Sequence, residues 1–323
     1  MFKLPQKARF GEQTPPAIFP PIFGLLGIGL AWRRAEPVFQ APPAVSQLIL
    51  GAVSLLFLFA LGAYGLKVIR RPAVVAEDLR VLPGRAGLAA MVLSVYLMAA
   101  VLLPMNPRVA AAVLLAGLAG HAALVWLVIA ALLRGPEEQR QVTPVWHLQF
   151  VGVIFVPLVA IPLGYTGLSR VIFYGAGAFA LAILAISVAQ IIRRDPPPPL
   201  RPLMAIHVAP FSLLGTVALM LNERLPALIF AALATAILAA LLIRARYITA
   251  AGFSPLWGAF TFPLAAYASL MLALAGAGEG EPFRFAGGVT LVAGTLMIPA
   301  IAVKVMQAWA KGGLAVKTNA ARA

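Results

Sequence analysis

Cysteine is absent from the 323 residues, which excludes disulfides, thiolate metal sites and thiol redox chemistry. Acidic residues are scarce, with 10 Asp and Glu against 25 Lys and Arg, and charged residues of both signs make up only 11% of the chain. That is too little charge to clothe a water-soluble fold of this length. The formal charge of +15 does not mark a nucleic-acid binder, because the basic residues stand singly or in pairs at the ends of apolar runs rather than in one patch. Histidine is also rare, at 3 residues. None has a second His, Asp or Glu three or four positions on to complete a metal site, so no metal and no cofactor is expected.

What is there is apolar. The chain is 62% hydrophobic, with a mean hydropathy of +0.96. A bilayer core asks for roughly 20 apolar residues per helix, and ten runs meet or approach that length, at about 17–33, 44–69, 85–103, 108–133, 144–164, 168–192, 202–221, 225–243, 254–277 and 285–308. The expected fold is all-α: one polytopic transmembrane domain over residues 1–323, with short cytoplasmic tails at about 1–16 and 309–323. The opening stretch MFKLPQKARFGEQTPP lacks an apolar signal core and a small-residue cleavage site, so no cleaved leader is expected.

Orientation follows from the basic residues. Arg33, Arg34, Arg108, Arg170, Arg224 and Arg284 fall on one side, and all the other Lys and Arg fall on the side of the termini. Both termini are therefore expected in the cytoplasm. Connections after runs three, five and seven are short, which makes antiparallel neighbours and five helical hairpins. The PPPP run at 196–199 reads as a semi-rigid spacer between hairpins rather than a ligand for a partner.

A repeat reinforces the hairpins. Pro144, Pro202 and Pro255 open odd-numbered runs, and eight residues later come Gly152, Pro210 and Pro263. Odd runs hold helix breakers and small residues, whereas even runs such as PALIFAALATAILAALLI are smoothly apolar. The expectation is an inner ring of five odd-numbered helices, kinked at Pro and Gly around a central pore, inside an outer ring of intact ones. Pro263, Pro210, Gly152 and Pro157 are the expected kink or pore-lining positions, with Gly24, Gly27 and Ala266 beside the pore; close helix packing accounts equally well for the glycines.

Within SPLWGAFTFPLAAYASL, Phe262 stands directly before the mid-span Pro263. It reads as a hydrophobic constriction, a gate that blocks hydrated ions until the ring rotates; helix packing is its plainer role. Val151 and Ala209 hold the same repeat position in runs five and seven. His207, three residues before Pro210, is the candidate for proton coupling, against a hydrogen-bonded bundle histidine. Acidic residues fall at helix ends or in loops, and their absence from mid-membrane favours an anion path over a cation path. Arg33 and Arg224 at the outer mouth would concentrate anions or simply snorkel. No catalytic constellation is present, so an enzyme is not expected.

FPPIFGLLGIGLAWR in run one and WGAFTFPLAAYA in run nine resemble the matching segments of the tellurite-resistance/dicarboxylate transporter family. That family includes the bacterial tellurite-resistance membrane protein and the plant guard-cell slow anion channel. The resemblance implies a homotrimer with one pore per subunit, lined by the five odd helices and occluded by the phenylalanine matching Phe262. It also implies chloride, nitrate, dicarboxylates, sulfite or tellurite as cargo. Runs three and five match no family motif, and the regulatory tails of the plant channels are absent. The expected function is an anion channel of the cytoplasmic membrane; the alternative is a proton-coupled carrier exporting C4-dicarboxylate, sulfite or another oxyanion. Lipid is the other expected partner.

Overall fold

The computed structural model describes residues 11–323, so Lys3, Lys7, Arg9 and most of the N-terminal tail expected at 1–16 lie outside the described residues. Among those residues the fold is all helical, with no strand. A 3-10 turn at Pro16–Ile18 leads into α1 (Phe19–Phe39), which continues past its predicted end at 33, and α2 (Pro43–Arg70) returns beside it. After a short α3 (Val74–Arg80), α4 (Leu82–Leu102) and α5 (Pro107–Arg134) form a second hairpin. The third begins with a π turn at His147–Val151, a 3-10 turn at Gly152–Phe155 and a single helical turn, α6 (Pro157–Ala160), before α7 (Thr166–Arg193).

In the fourth hairpin a 3-10 segment at Pro198–His207 runs into α8 (Val208–Met220), and α9 (Arg224–Ile243) returns. After α10 (Ala245–Ile248), a 3-10 segment at Pro255–Phe260 runs into α11 (Thr261–Gly276). The return helix α12 (Glu281–Ala310) closes the fifth hairpin, and a short α13 (Gly313–Lys317) follows.

Nine of these helices, counting each 3-10 leader with its helix, are long and apolar enough to cross a membrane among the described residues. The expected tenth, at 144–164, is instead the shorter broken segment His147–Ala160. The reason lies in its breakers: Gly152 and Pro157 interrupt the ladder, and a chain that cannot hold one hydrogen-bond register changes from π to 3-10 to α within one crossing.

Two classes of helix are plain from burial. The spans built on α1, α4, α8 and α11 are 67–83% buried over their apolar windows, against 17–33% for α2, α5, α7, α9 and α12. The buried set closes a ring: α1 touches α4, α4 touches the 147–160 segment, that segment touches α8, α8 touches α11, and α11 returns to α1. Each outer helix packs on its own hairpin partner and on the next inner element, as α12 does on α11 and α1, and α9 on α8 and α11. The outer helices turn Leu55, Trp126, Val171, Ile243 and Leu296 outward, the surface a hydrocarbon solvent requires.

Both described ends meet on one face, where the Ala323 N–H donates to the Glu12 carbonyl. There Lys67, at the end of α2, is fully buried and pairs with Asp78 of α3 at 2.8 Å. Asp78 also accepts from the Tyr64 hydroxyl and the Ala321 N–H, and Lys67 donates to the Thr14 carbonyl. Three acceptor bonds to Asp78 and two donor bonds from Lys67 replace most of the hydration the pair loses, which is the condition under which a buried pair is tolerated.

Removing one partner strands the other charge, so Asp78→Ala is expected to cost about 3–5 kcal/mol and to lower the melting temperature of the detergent-solubilised protein. Arg284→Ala, which loses an exposed pair with Glu281 and an exposed contact over the Phe39 ring, is expected to lower it by far less.

Candidate functional site

Pro210 and Pro263 are mid-span as expected, inside the continuous spans Pro198–Met220 and Pro255–Gly276, and each is the third residue after its 3-10 leader passes into α8 or α11; Pro157 is the first residue of α6. A proline has no N–H to donate to the preceding turn, so the α-helical ladder does not extend back through it. The chain enters the membrane as 3-10 helix and changes to α-helix part-way across. Three of the inner elements are therefore broken by a change of helix type at or within two residues of a proline.

The exposed carbonyls at these changes are met by side chains. His121 on α5 donates from Nε2 to the Gln149 carbonyl in the π turn at 2.8 Å, a role fixed by the Tyr96 hydroxyl on its Nδ1 at 3.1 Å. The Thr261 hydroxyl lies within reach of the Gly258 carbonyl at 2.7 Å and the Pro20 carbonyl of α1 at 3.0 Å.

At the level of these changes the ring is filled by aromatic side chains. Phe262 lies on Phe23 of α1, with ring centroids 3.8 Å apart and planes at 19°, and beside Phe155 at 5.3 Å and 46°. Phe23 and Phe155 are 5.6 Å apart, and all three are almost completely buried. Val151 and Ala209 share a small cavity with Phe262, as their common repeat position implies. Phe23 and Phe155 were missed from sequence. Phe155 stands two residues before Pro157, an aromatic beside a mid-span proline, which is the signal that singled out Phe262.

Two vestibules meet at this layer. The one toward the chain ends is apolar and narrow, with a cavity volume of about 40 Å³, and is lined by Pro20, Ala86, Ala90, Ala209 and Pro263. The opposite one has a cavity volume of about 190 Å³ and is lined by Gly27, Arg33, Arg34, Thr216, Ala266 and Ser269. Phe262 lines both.

The remaining candidates separate. Gly27 borders the second vestibule and faces the Phe262 ring, where an added Cβ would lie 2.9 Å from Cδ2. Gly24 is a close-approach position, where a Cβ would lie 2.3 Å from the Thr261 side chain. Gly152 and Pro210 line the small cavity behind the plug, and Gly152 also lets His121 and Leu93 close in. Pro157 is buried and lines none of these cavities.

His207 lines neither vestibule. It joins His147, Nδ1 to Nε2 at 2.9 Å, to the Ser187 hydroxyl of α7 at 3.0 Å. Arg224 does not stand free at the outer mouth: it grips Glu279 through two hydrogen bonds of 2.6 and 2.8 Å, which hold the Glu279 carboxyl below the usual carboxylate range. Among the described residues there is no group of three or more potential His, Asp or Glu metal ligands.

A ring of apolar helices with a vestibule at each end and a shared aromatic wall defines a multi-pass membrane transport fold. The family model SLAC1, described as voltage-dependent anion channel, matches residues 13–306, and the chain belongs to that family. This is the family expected from FPPIFGLLGIGLAWR and WGAFTFPLAAYA, and membership carries anion transport across the membrane. No curated protein matches the chain.

The close approach of α1 to α11 gives a direct test. Gly24→Ala is expected to cost about 1–3 kcal/mol through overpacking, read as a lower melting temperature in detergent. Gly62→Ala, inside α2 with open space around it, is expected to hold or slightly raise the melting temperature.

Proposed function

We propose that this protein is an anion channel of the cytoplasmic membrane, shut in this conformation by Phe262. The observation that carries the reading is that one phenyl ring is the common wall of both vestibules. An apolar constriction of this kind excludes a hydrated ion because no group there replaces its water, and rotation of the ring would admit one. α8 and α11 begin beside this ring, with Ala209 and Pro263 lining the same vestibule; the helix dipoles there favour an anion without choosing among anions.

The channel's cargo is a small anion such as chloride, nitrate, a dicarboxylate or sulfite, and the basic bias of the chain-end face supports a cytoplasmic position for that face. The exposed apolar outer helices suit lipid and the neighbouring subunits of a homotrimer with one pore each.

Phe262→Ala is expected to raise anion current in proteoliposomes on the order of tenfold or more, the effect of at least about 1.4 kcal/mol on a barrier. Phe23→Ala and Phe155→Ala are expected to raise it less, since those rings do not border the second vestibule. No increase for Phe262→Ala, in protein shown to reach the membrane, contradicts the gate.

One observation favours a second reading. The Ser187–His207–His147 chain runs from the pocket at Arg194 and Asp195 to the cavity behind Phe155, and hydrogen-bonded histidines can relay protons. A proton-coupled carrier would show saturable flux driven by a pH gradient and lost in His207→Gln. The channel reading expects reversal potentials that follow the anion gradient alone in both proteins.

A further inference from the structure

The two vestibules differ in charge, and the difference comes from which arginines are neutralised. On the face opposite the chain ends, Arg170 pairs with Glu223, Arg224 with Glu279 and Arg284 with Glu281. The acidic group of α1 itself, Glu36, is engaged by the Ser46 hydroxyl of α2. Arg33 and Arg34 stand apart from these pairs. Arg33 donates only to the neutral carbonyls of Ala100 and Val101, at 3.3 and 3.5 Å. Arg34 makes no hydrogen bond, ion pair or ring contact with any described residue. Yet both are partly buried and line the second vestibule directly beyond Phe262.

Glu36 acts on Arg33 through space, which leaves Arg34 as the guanidinium held partly out of water with no counter-charge, a costly state unless something supplies one. The same wall carries the Ser269 hydroxyl, which has no protein partner among the described residues. It also carries Thr216, whose own hydroxyl is spent on the Ser212 carbonyl. The available donors are thus the planar fork of Arg34, the unused N–H groups of Arg33 and one free hydroxyl.

We infer that Arg34, with Arg33 and Ser269, forms a binding site for a planar oxyanion, a carboxylate or nitrate, on the far side of the Phe262 plug. The site rests on the anion-transport reading and adds a station and a preference to it. A guanidinium fork presents two parallel N–H donors that match the two oxygens of a planar O–X–O edge, whereas a halide meets only one point of that fork. The site therefore ranks oxyanions above chloride, which the plug and the helix N-termini do not.

The test uses the full chain in detergent and in proteoliposomes, with nitrate and chloride as probes at matched ionic strength. Nitrate is expected to raise the melting temperature more than chloride does. Arg34→Gln is expected to abolish that difference, as is Arg34→Lys, which keeps the charge and loses the fork. The same variants are placed in a Phe262→Ala background, which leaves the site residues intact. There the nitrate-to-chloride permeability ratio from reversal potentials is expected to fall about tenfold, the size of one charge-assisted hydrogen-bond interaction.

Equal stabilisation by nitrate and chloride in the unaltered chain overturns the oxyanion assignment. So does an unchanged preference in a folded Arg34→Lys protein. Current through Phe262→Ala that ignores Arg34 sinks the site and leaves the channel standing. Nitrate binding that depends on Arg34, without current in any variant, sinks the channel and leaves the site.

Discussion

The structure depends on one constraint: a backbone that changes helix type inside a membrane has no water to satisfy the groups the change exposes. Three inner elements make such a change, before α6, α8 and α11. The Gln149 carbonyl is met by His121 from an outer helix, and Thr261 ties its own element to α1. Such elements cannot face lipid, so they occupy the ring, and five smoother helices must cover them. The hairpin order delivers this by alternation, each broken or small-residue element being followed in sequence by the helix that shields it.

The same constraint shapes the centre of the ring. Entry as 3-10 helix is narrower and more extended than entry as α-helix, and the α segments that follow begin near the middle of the ring. Small residues on α1 let it close on α11, with Gly24 against Thr261 and Gly27 against Phe262. What remains on the axis is space for side chains, and Phe23, Phe155 and Phe262 fill it. These apolar rings make no hydrogen bonds, so their arrangement rests on packing alone, and the proposed gate would open without a hydrogen bond to break.

Much of this was legible in the sequence, for physical reasons that can be named. Apolar run length gave the hairpins, and the proline repeat gave the inner ring, because lipid permits breakers only where protein covers them. Phe262 was legible through its seat before Pro263. Less legible was what the prolines do: a proline at the third position of a helix and one in mid-helix look alike until the start of the helix is known. The third hairpin read as a full span, since composition does not distinguish an α turn from a π or 3-10 turn. Phe23 and Phe155 carried weaker signals, and only the packing of α1, α11 and the 147–160 segment brings them to Phe262. Arg34 looked like any interfacial arginine, because the pairing of Arg170, Arg224 and Arg284 joins residues far apart in the chain.

The absence of cysteine makes the central claim directly measurable, because any thiol introduced is the only one present. Single-cysteine proteins carrying Ala266→Cys or Ala86→Cys place a thiol in the vestibule on either side of Phe262. A membrane-impermeant anionic thiosulfonate is then applied from one face of proteoliposomes of known orientation. With Phe262 present, each thiol is predicted to react from its own face only, and with Phe262→Ala both are predicted to react from both faces. Labelling of either thiol from both faces while Phe262 is in place, or from one face only after its removal, would contradict the account.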